Sequence, residues 1–366
     1  MNFGEPLPEE RWILLVRRAY DQGIRTFLTA DVFGAGAADD LLGRALAGLP
    51  RSSYCLVGAV GHDFYKGQRQ GAKGYPRFTD PALRPPSDYR GYLRMAVEKS
   101  LQRCRAQKFD LLLLHNPDSI GFGSDRVWSA LDKIKEEKLT DRLGIAPGPA
   151  NGFTLDLILS FERFGPLLDW AMIILNPLEP WPGRLVLPAA AAHQVQLLTR
   201  VVDYGGLFHD DVRAGHKFPA QDHRSFRPAG WVEAGREKMD LLRPLAEKHR
   251  LTMLQLACLW NLSHRGVKNV TPTLIQESGS ASRPIESKAD ELAALPELKF
   301  SEEEVAFIAR VGDNQGCMTL KGSNRSHTTA AEADRWSLTP DLEAVGRKWA
   351  INPDQDLAST HPSSSQ

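Results

Sequence analysis

The sequence has few of the features that mark secreted, membrane or nucleic-acid-binding proteins. Its four cysteines in 366 residues are far apart and form no CxxC pair, which argues against a disulfide scaffold. No apolar run approaches the roughly 20 residues of a membrane helix, and no basic segment followed by an apolar stretch opens the chain. The formal net charge is +0, which favours neither nucleic acid nor a membrane surface. These absences predict a cytoplasmic protein whose partner is a small-molecule substrate.

What is present is an alternation of short apolar runs with longer amphipathic stretches. Such runs are typical of buried parallel strands, and the amphipathic stretches between them predict helices. The predicted strands are Thr26–Ala30, Tyr54–Val60, Leu111–Leu114, Leu143–Ala146, Met172–Leu175, Leu197–Val202 and Asn269–Leu274. The main predicted helices are Pro8–Gly23, Ala37–Gly48, Tyr89–Gln107, Gly235–His249, Thr252–His264, one that begins at Ser301, and Trp336–Trp349.

This strand–helix order predicts an α/β protein, either a (β/α)₈ TIM barrel or a doubly wound sheet. A single barrel needs roughly 250 residues, so one barrel with a C-terminal extension fits a chain of 366 residues. We expect the barrel over residues 1–312, and an extension with a disordered tail over residues 313–366. Only seven strands are predicted, and Met1–Gly4 is too short to supply another. The first barrel strand is therefore predicted to be short or missing.

Three stretches in the first third of the chain together resemble the aldo-keto reductase family. Residues 19–34, AYDQGIRTFLTADVFG, resemble its segment A-x-D-x-G-I-x-x-F-D-T-A-x-x-Y-G. Residues 41–46, LLGRAL, and 100–118, SLQRCRAQKFDLLLLHNPD, resemble the segments that follow. The resemblance covers residues 4 to 310. It implies a TIM barrel that moves hydride between NADP(H) and a carbonyl or alcohol, in the style of the sugar and aldose dehydrogenases.

The resemblance also implies four catalytic residues. A Tyr donates a proton to the carbonyl, an Asp–Lys pair lowers the pKa of that Tyr, and a His orients the substrate. Matched position by position, the Asp is Leu28, the Tyr is Phe33 and the Lys is Ala59, and only the His is kept, as His115. Phe33 has no hydroxyl and donates no proton. Without the Tyr, a buried Lys–Asp pair has no catalytic role, and its replacement by apolar groups costs little stability. The sequence therefore predicts a degenerate tetrad and loss of standard carbonyl reduction.

Two histidines are the candidate catalytic residues. His115 follows a predicted strand at its carboxyl end, which is where barrel active sites lie. His62 and Asp63 follow the preceding predicted strand, Tyr54–Val60, and would face the same mouth. They form either an orienting pair in which His62 is a base or part of a solvated loop. The predicted substrate pocket consists of Phe33, Asp31, Trp181 as an aromatic wall for a sugar-like ligand, and Arg142.

The resemblance places NADP(H) on the loops after the last strands. The predicted cofactor contacts are Asn176, Tyr204, Gly206, Leu207, Ser282 and Arg283. Asp290 and Glu291 stand where the family faces the adenine and would disfavour a 2′-phosphate, so cofactor binding stays open. The acidic residues and histidines between Asp203 and His223 have no metal-ligand signature of known spacing, and no metal is predicted.

Three functions stay open on these residues. The first is an aldo-keto reductase-like enzyme with a non-standard site that acts on a small polyol or sugar-like carbonyl compound. The second is a non-redox lyase, dehydratase or isomerase that uses His115 as its base. The third is a catalytically silent protein that binds a nucleotide or another small ligand.

Overall fold

A computed structural model describes residues 3–70, 74–148, 153–219, 221–227, 229–279, 282–314 and 338–357. Seven strands form one sheet in the order in which they occur along the chain, and each pairs in parallel with the next. The strands are β1 (Thr26–Leu28), β2 (Cys55–Val60), β3 (Leu111–His115), β4 (Leu143–Ala146), β5 (Trp170–Ile174), β6 (Gln196–Arg200) and β7 (Val267–Thr271). All seven predicted strands are therefore present.

Helices connect the strands, as a parallel sheet requires, because a parallel neighbour is reached only through a crossover. The helices are α1 (Glu9–Asp21), α2 (Ala37–Ala45), α3 (Tyr89–Cys104), α4 (Ser119–Gly123), α5 (Asp125–Glu136), α6 (Thr154–Phe164), α7 (Leu187–Ala192), α8 (Trp231–Lys248), α9 (Met253–Leu262), α10 (Ile285–Ala293), α11 (Glu302–Val311), α12 (Pro340–Lys348) and α13 (Pro353–Asp356). The predicted helix starts at Thr252 and Ser301 are confirmed, because each residue closes a capping box with the residue three positions later.

Two predicted strands are displaced along the chain. β5 begins at Trp170, two residues before the predicted start, and β7 begins at Val267 and ends at Thr271. The prediction carried β7 through Pro272, which has no N–H for a ladder hydrogen bond. The predicted start of the last long helix, Trp336, and the predicted tail His361–Gln366 lie outside the described residues.

Alternate strand residues enter two different apolar layers. In β3, Leu112 and Leu114 pack outward in the large core that includes the helices, whereas Leu111 and Leu113 belong to a separate cluster inside the sheet. We call this second group the inner cluster. Its buried members are Ala30, Val57, Ala59, Leu111, Leu113, Ala146, Met172 and Leu198, and Leu28 packs against it. Burial on both faces explains why β3 is apolar at four successive residues.

The first and last strands lie side by side. Asn269 of β7 donates from Nδ2 to Oγ1 of Thr26 in β1, over 3.2 Å. No backbone pairing joins β1 to β7 in the part of the chain that the structure describes. The sheet thus curls until its two ends meet at a seam that side chains bridge.

The C-terminal residues 338–357 pack on the barrel. The indole of Trp349 donates to Glu162 of α6 over 2.7 Å, and Lys348 Nζ lies 2.9 Å from the same carboxylate. Trp181 donates from its indole to the carbonyl of Asp356 over 2.6 Å. Within the described ranges, no helix combines the length and the apolarity needed to cross a membrane.

Candidate functional site

His115 ends β3 and lies at the carboxyl edge of the sheet. By strand alternation its side chain follows Leu111 and Leu113 toward the interior. Its Nδ1 is buried and has no hydrogen-bond partner. Burial, followed by the nearby His62 and the charges of Arg200 and Arg77, places the pKa of His115 well below 6.5. The imidazole is therefore neutral at pH 7.

Phe33 lies edge-on against His115. The two ring centroids are 5.7 Å apart at an interplanar angle of 90°. Phe33 is one of the few large apolar side chains with substantial exposure, at 39%. The resemblance assigned these two residues, 82 positions apart in sequence, to one catalytic tetrad. The ring that faces the imidazole carries no hydroxyl.

The floor beneath His115 is apolar. Leu28 of β1 and Ala59 of β2 both belong to the inner cluster or pack against it. The two positions that the resemblance assigns to an Asp–Lys pair are therefore occupied by apolar side chains of one hydrophobic cluster.

His62 forms the second wall of the site. Its ring centroid is 5.2 Å from that of His115. His62 Nδ1 lies 2.9 Å from the carbonyl oxygen of Tyr75, and Nε2 lies 3.1 Å from the side-chain nitrogen Nδ2 of Asn116. Burial, followed by the charge of Arg77, lowers the pKa of His62 from 6.5 to about 4. His62 is thus neutral, with both ring nitrogens engaged by fixed protein groups.

The predicted orienting role of Asp63 for His62 is wrong. The carboxylate of Asp63 is fully buried and pairs with Arg84, and its Oδ1 accepts from the N–H groups of Tyr65 and Lys66 over 2.9 Å each. Asp63 therefore holds the loop after β2 in place. The ring of His62 is oriented by Tyr75 and Asn116 instead.

Two arginines that the sequence analysis did not single out flank His115. Arg77, from the loop after β2, donates from Nε to the carbonyl of Asn116, the residue after His115. Arg200, the last residue of β6, donates from one terminal nitrogen to the carbonyls of Pro147 and Gly148, over 2.8 Å each. The available signal for Arg200 was a charged residue inside the predicted strand Leu197–Val202.

Three predicted pocket residues have other surroundings. Asp31 is fully buried, and its pKa is raised well above 3.8 by burial and then by Asp39, which lies in the layer between sheet and helices. Trp181 is buried and tied to Asp356 of the C-terminal segment. Arg142 precedes β4 and so lies at the amino edge of the sheet, opposite His115. The proposed site does not include Arg142, because barrel sites form at the carboxyl edge.

The predicted cofactor residues after β5 and β6 lie at the same carboxyl edge as His115. Asn176 is fully buried, and its Oδ1 accepts from the N–H of Leu178 over 3.0 Å while its Nδ2 has no partner. The turn at Tyr204, Gly206 and Leu207 is fixed by Asp203, whose carboxylate accepts from the N–H of Gly206 over 2.6 Å. Asp203 also accepts from the N–H of Thr273 over 2.7 Å, which ties the loop after β6 to the segment after β7.

Ser282 and Arg283 follow in the segment after β7. Ser282 donates to the carbonyl of Ser278 over 2.6 Å and lines a surface cavity of about 430 Å³. Arg283 pairs with Glu291 over 2.5 Å and donates to the carbonyl of His209 over 3.2 Å. The one predicted phosphate-binding cation of this segment therefore already has a carboxylate partner.

The part of the chain that the structure describes holds no group of three or more His, Cys, Asp or Glu side chains placed to bind a metal ion. Polar groups instead gather at the carboxyl ends of β2, β3, β5 and β6, around a neutral imidazole. This arrangement is that of a small-molecule site at the mouth of an α/β barrel.

The chain belongs to the Aldo/keto reductase family, whose sequence model matches residues 1–313. It is 26% identical over 215 residues to D-threo-aldose 1-dehydrogenase from a Pseudomonas species, a match that spans 54% of this chain and 61% of that enzyme. The glycerol dehydrogenase of Gluconobacter oxydans has a similar fold, with a TM-score of 0.66 at 22% identity, covering 84% of this chain and 86% of that one. An aldo-keto reductase from Klebsiella pneumoniae, solved in complex with NADPH, also has a similar fold. Its TM-score is 0.56 at 18% identity, and the match covers 90% of this chain and 91% of that one.

Proposed function

We propose that this chain is an oxidoreductase-derived aldo-keto reductase that binds NADP(H) and a small polyol or sugar-like carbonyl compound but lacks fast tyrosine-type proton transfer. One observation carries the proposal. The ring that faces His115 at 5.7 Å is Phe33, so the site keeps the imidazole and has no hydroxyl beside it. The aldose and glycerol dehydrogenases among the similar proteins support the substrate class.

A neutral His115 sets what this site does to a carbonyl compound. A neutral imidazole donates an N–H hydrogen bond to a carbonyl oxygen and so stabilises charge that develops there. It is a poor proton donor at pH 7, because losing that N–H proton would leave an imidazolate. General acid catalysis contributes about 10²–10⁴-fold where it is present, so we expect carbonyl reduction to be slower by a factor of that size.

The residues present fit the nicotinamide end of the cofactor. The unpartnered Nδ2 of Asn176 is a buried amide donor at the carboxyl edge of the sheet, where a carboxamide oxygen would satisfy it. The turn at Gly206 has a positive φ of 91° and a side chain there would press on Arg224 and Glu277, so this turn requires glycine. When bound, NADP(H) would supply or accept hydride. Asn176, Tyr204, Gly206 and Leu207 would hold it, with Ser282 and Arg283 toward its phosphates.

The same site also defines the alternatives. A lyase or isomerase would use His115 as a base, but burial and two nearby arginines weaken that base. A silent binding protein would use the identical pocket without turnover. Both alternatives differ from the proposal in whether hydride moves.

The test is a titration with NADPH and NADP⁺, followed by nicotinamide fluorescence and heat, and then single-turnover reactions with aldehydes and sugars. We expect binding of the nucleotide and slow hydride transfer that His115→Ala lowers further, with Arg94→Gln at an exposed position of α3 as the control. No binding at millimolar nucleotide would remove the redox function. Binding without any transfer would favour the silent protein, and turnover in the usual range of about 1–10³ s⁻¹ would contradict the missing general acid.

A further inference from the structure

Buried and partly buried arginines in the described part of this barrel fall into two groups. Arg84 pairs with Asp63, Arg103 pairs with Asp39 over 3.0 Å, and Arg224 pairs with Asp222 over 2.7 Å. In the first group a carboxylate balances each guanidinium. Such pairing is the rule, because an uncompensated buried charge is costly.

In the second group, Arg77, Arg200 and Arg227 have no carboxylate within ion-pair distance among the described residues. Arg227 lies over the ring of Trp231, whereas Arg77 and Arg200 lie near His115. Backbone carbonyls, and His62 Nδ1 for Arg77, take up only part of the donors of these last two side chains. The Nε of Arg200 is buried and has no partner at all. Burial lowers the pKa of Arg200 to about 10, as expected for a cation without a counter-charge.

The backbone brings these two arginines to the carboxyl edge near His115. Arg200 reaches from β6 past β5 to the carbonyls that follow Ala146 at the end of β4. Ala146 is the register partner of His115, and its carbonyl accepts from the N–H of Asn116 over 2.7 Å. The carbonyl of Asn116 in turn accepts from Arg77. Backbone carbonyls just after β3 and just after β4 therefore each anchor one guanidinium.

Strand alternation also points Arg200 and His115 to the same space. Leu198 of β6 and Leu113 of β3 both lie in the inner cluster, so the residues two positions later face inward above it. The second imidazole there, His62, is neutral.

Asp31, three residues after β1, is fully buried, and burial followed by Asp39 raises its pKa well above 3.8. Asp118 acts on Arg77 from beyond ion-pair distance and already accepts hydrogen bonds from Thr79 and from the N–H of Gly121. Neither cation of the mouth therefore has an ion-paired carboxylate among the described residues.

We propose that Arg77 and Arg200 bind the anionic group of the substrate, a carboxylate or phosphate, while His115 contacts its carbonyl oxygen. This inference rests on the proposed function and narrows its substrate class to sugar acids or sugar phosphates. The guanidinium is suited to the task, since its planar donors match carboxylate and phosphate oxygens in bidentate pairs. The anion supplies the counter-charge that the protein does not.

The test compares matched charged and neutral ligands by calorimetry on the full chain, with and without NADP⁺. The pairs are D-glucuronate with D-glucose and D-glyceraldehyde 3-phosphate with D-glyceraldehyde. We expect at least one anion to bind about tenfold or more tighter than its neutral partner, with the difference shrinking as salt screens the charges. Equal affinity within both pairs would overturn the inference, and so would inorganic phosphate binding as tightly as the sugar phosphate.

Variants then assign the effect to the two side chains. Arg77→Gln and Arg200→Gln should each remove most of the preference for the anion and leave the neutral ligand unchanged, while Arg77→Lys and Arg200→Lys keep part of it. Arg94→Gln, on the surface of α3, is the control. Equal loss for both ligands overturns the assignment. If Arg200→Gln does not fold, the wild-type ligand pairs and Arg77→Gln still decide.

The outcomes also separate this inference from the proposed function. Nucleotide binding with no preference for anions overturns only the anion site. A preference for anions in a chain that binds no nucleotide overturns the redox function and leaves the anion site standing.

Discussion

Asn269 and Thr26 form a side-chain hydrogen bond across the seam between the last and the first strand of the sheet, with 3.2 Å between Nδ2 and Oγ1. The two strands share no backbone pairing in the described part of the chain. This contact therefore links two ends of the sheet that are 243 residues apart in sequence.

The hydrogen bond between Asn269 and Thr26 should contribute measurably to the free energy of unfolding. Asn269→Ala is expected to lower the free energy of unfolding by about 1 kcal/mol, the net contribution of a typical hydrogen bond. Thr26→Val, which keeps the shape of the side chain, should cost a similar amount. Urea unfolding of both variants and of the double variant gives the coupling. Strictly additive losses would show that the two side chains do not depend on each other.

A charged side chain at Ala59, in the inner cluster, should lower the free energy of unfolding. Ala59→Lys places an ammonium against Leu28, and an uncompensated buried charge costs about 3–5 kcal/mol. Ala59→Met is the matched control, because methionine has a similar length and no charge. The difference between the two variants in urea unfolding isolates the charge. A loss equal to that of Ala59→Met would mean that water or an unseen partner reaches the cluster.

Proton transfer should return only when three residues change together. Phe33→Tyr alone is expected to stay within a few-fold of the wild-type reduction rate, since nothing lowers the pKa of the new phenol. Combined with Leu28→Asp and Ala59→Lys, it should raise the rate by about 10²–10⁴-fold. Single-turnover oxidation of NADPH with a small aldehyde measures both. Full gain from Phe33→Tyr alone would contradict this dependence.

His62 should make the fold less stable in mild acid. Its pKa is lowered from 6.5 to about 4 in the folded chain, so between these values the unfolded chain binds more protons. The contribution is complete above pH 6.5 and is lost as the pH falls toward 4, by up to about 3 kcal/mol. Urea unfolding at several pH values should show a shallower dependence in His62→Gln. Identical slopes would mean that His62 is protonated as easily in the folded chain.

Glu291 should govern the choice between NADPH and NADH. Its carboxylate pairs with Arg283 over 2.5 Å, which removes the cation that would attract a 2′-phosphate. Glu291→Gln keeps the shape and frees the charge, so the affinity for NADPH relative to NADH should rise by about tenfold. Fluorescence titration with both nucleotides measures the ratio, and Glu98→Gln, which frees Arg94 on the surface of α3 instead, is the control. An unchanged ratio would place the 2′-phosphate away from Arg283.

The sequence predicted those parts of the molecule that depend on local patterns. The β3 run and His115 after it follow from burial on both faces of a parallel strand, and the resemblance brought Phe33 to His115. Asp63 was assigned to the wrong partner, because nothing in the sequence shows that Arg84 reaches it. Arg142 was assigned to the pocket, although its position just before β4 places it at the amino edge of the sheet, away from His115.

The two unpaired arginines show where such prediction ends. Arg77 lies in a Gly- and Pro-rich loop without periodicity, and Arg200 reads as one more residue of a strand. Their shared role depends on the backbone carbonyls that each side chain reaches, Asn116 for one and Pro147 with Gly148 for the other. Those contacts exist only once the sheet has curled.

The seam also bears on self-association. Strands with unpaired N–H and C=O groups along one side invite strand addition by another chain, and a closed barrel has none. β1 and β7 are such strands here, yet β1 has only three residues and β7 is followed at once by Pro272. A short strand and a proline both hinder strand addition. Lengthening β1 or replacing Pro272 would therefore remove one of the two features that hinder strand addition at this seam.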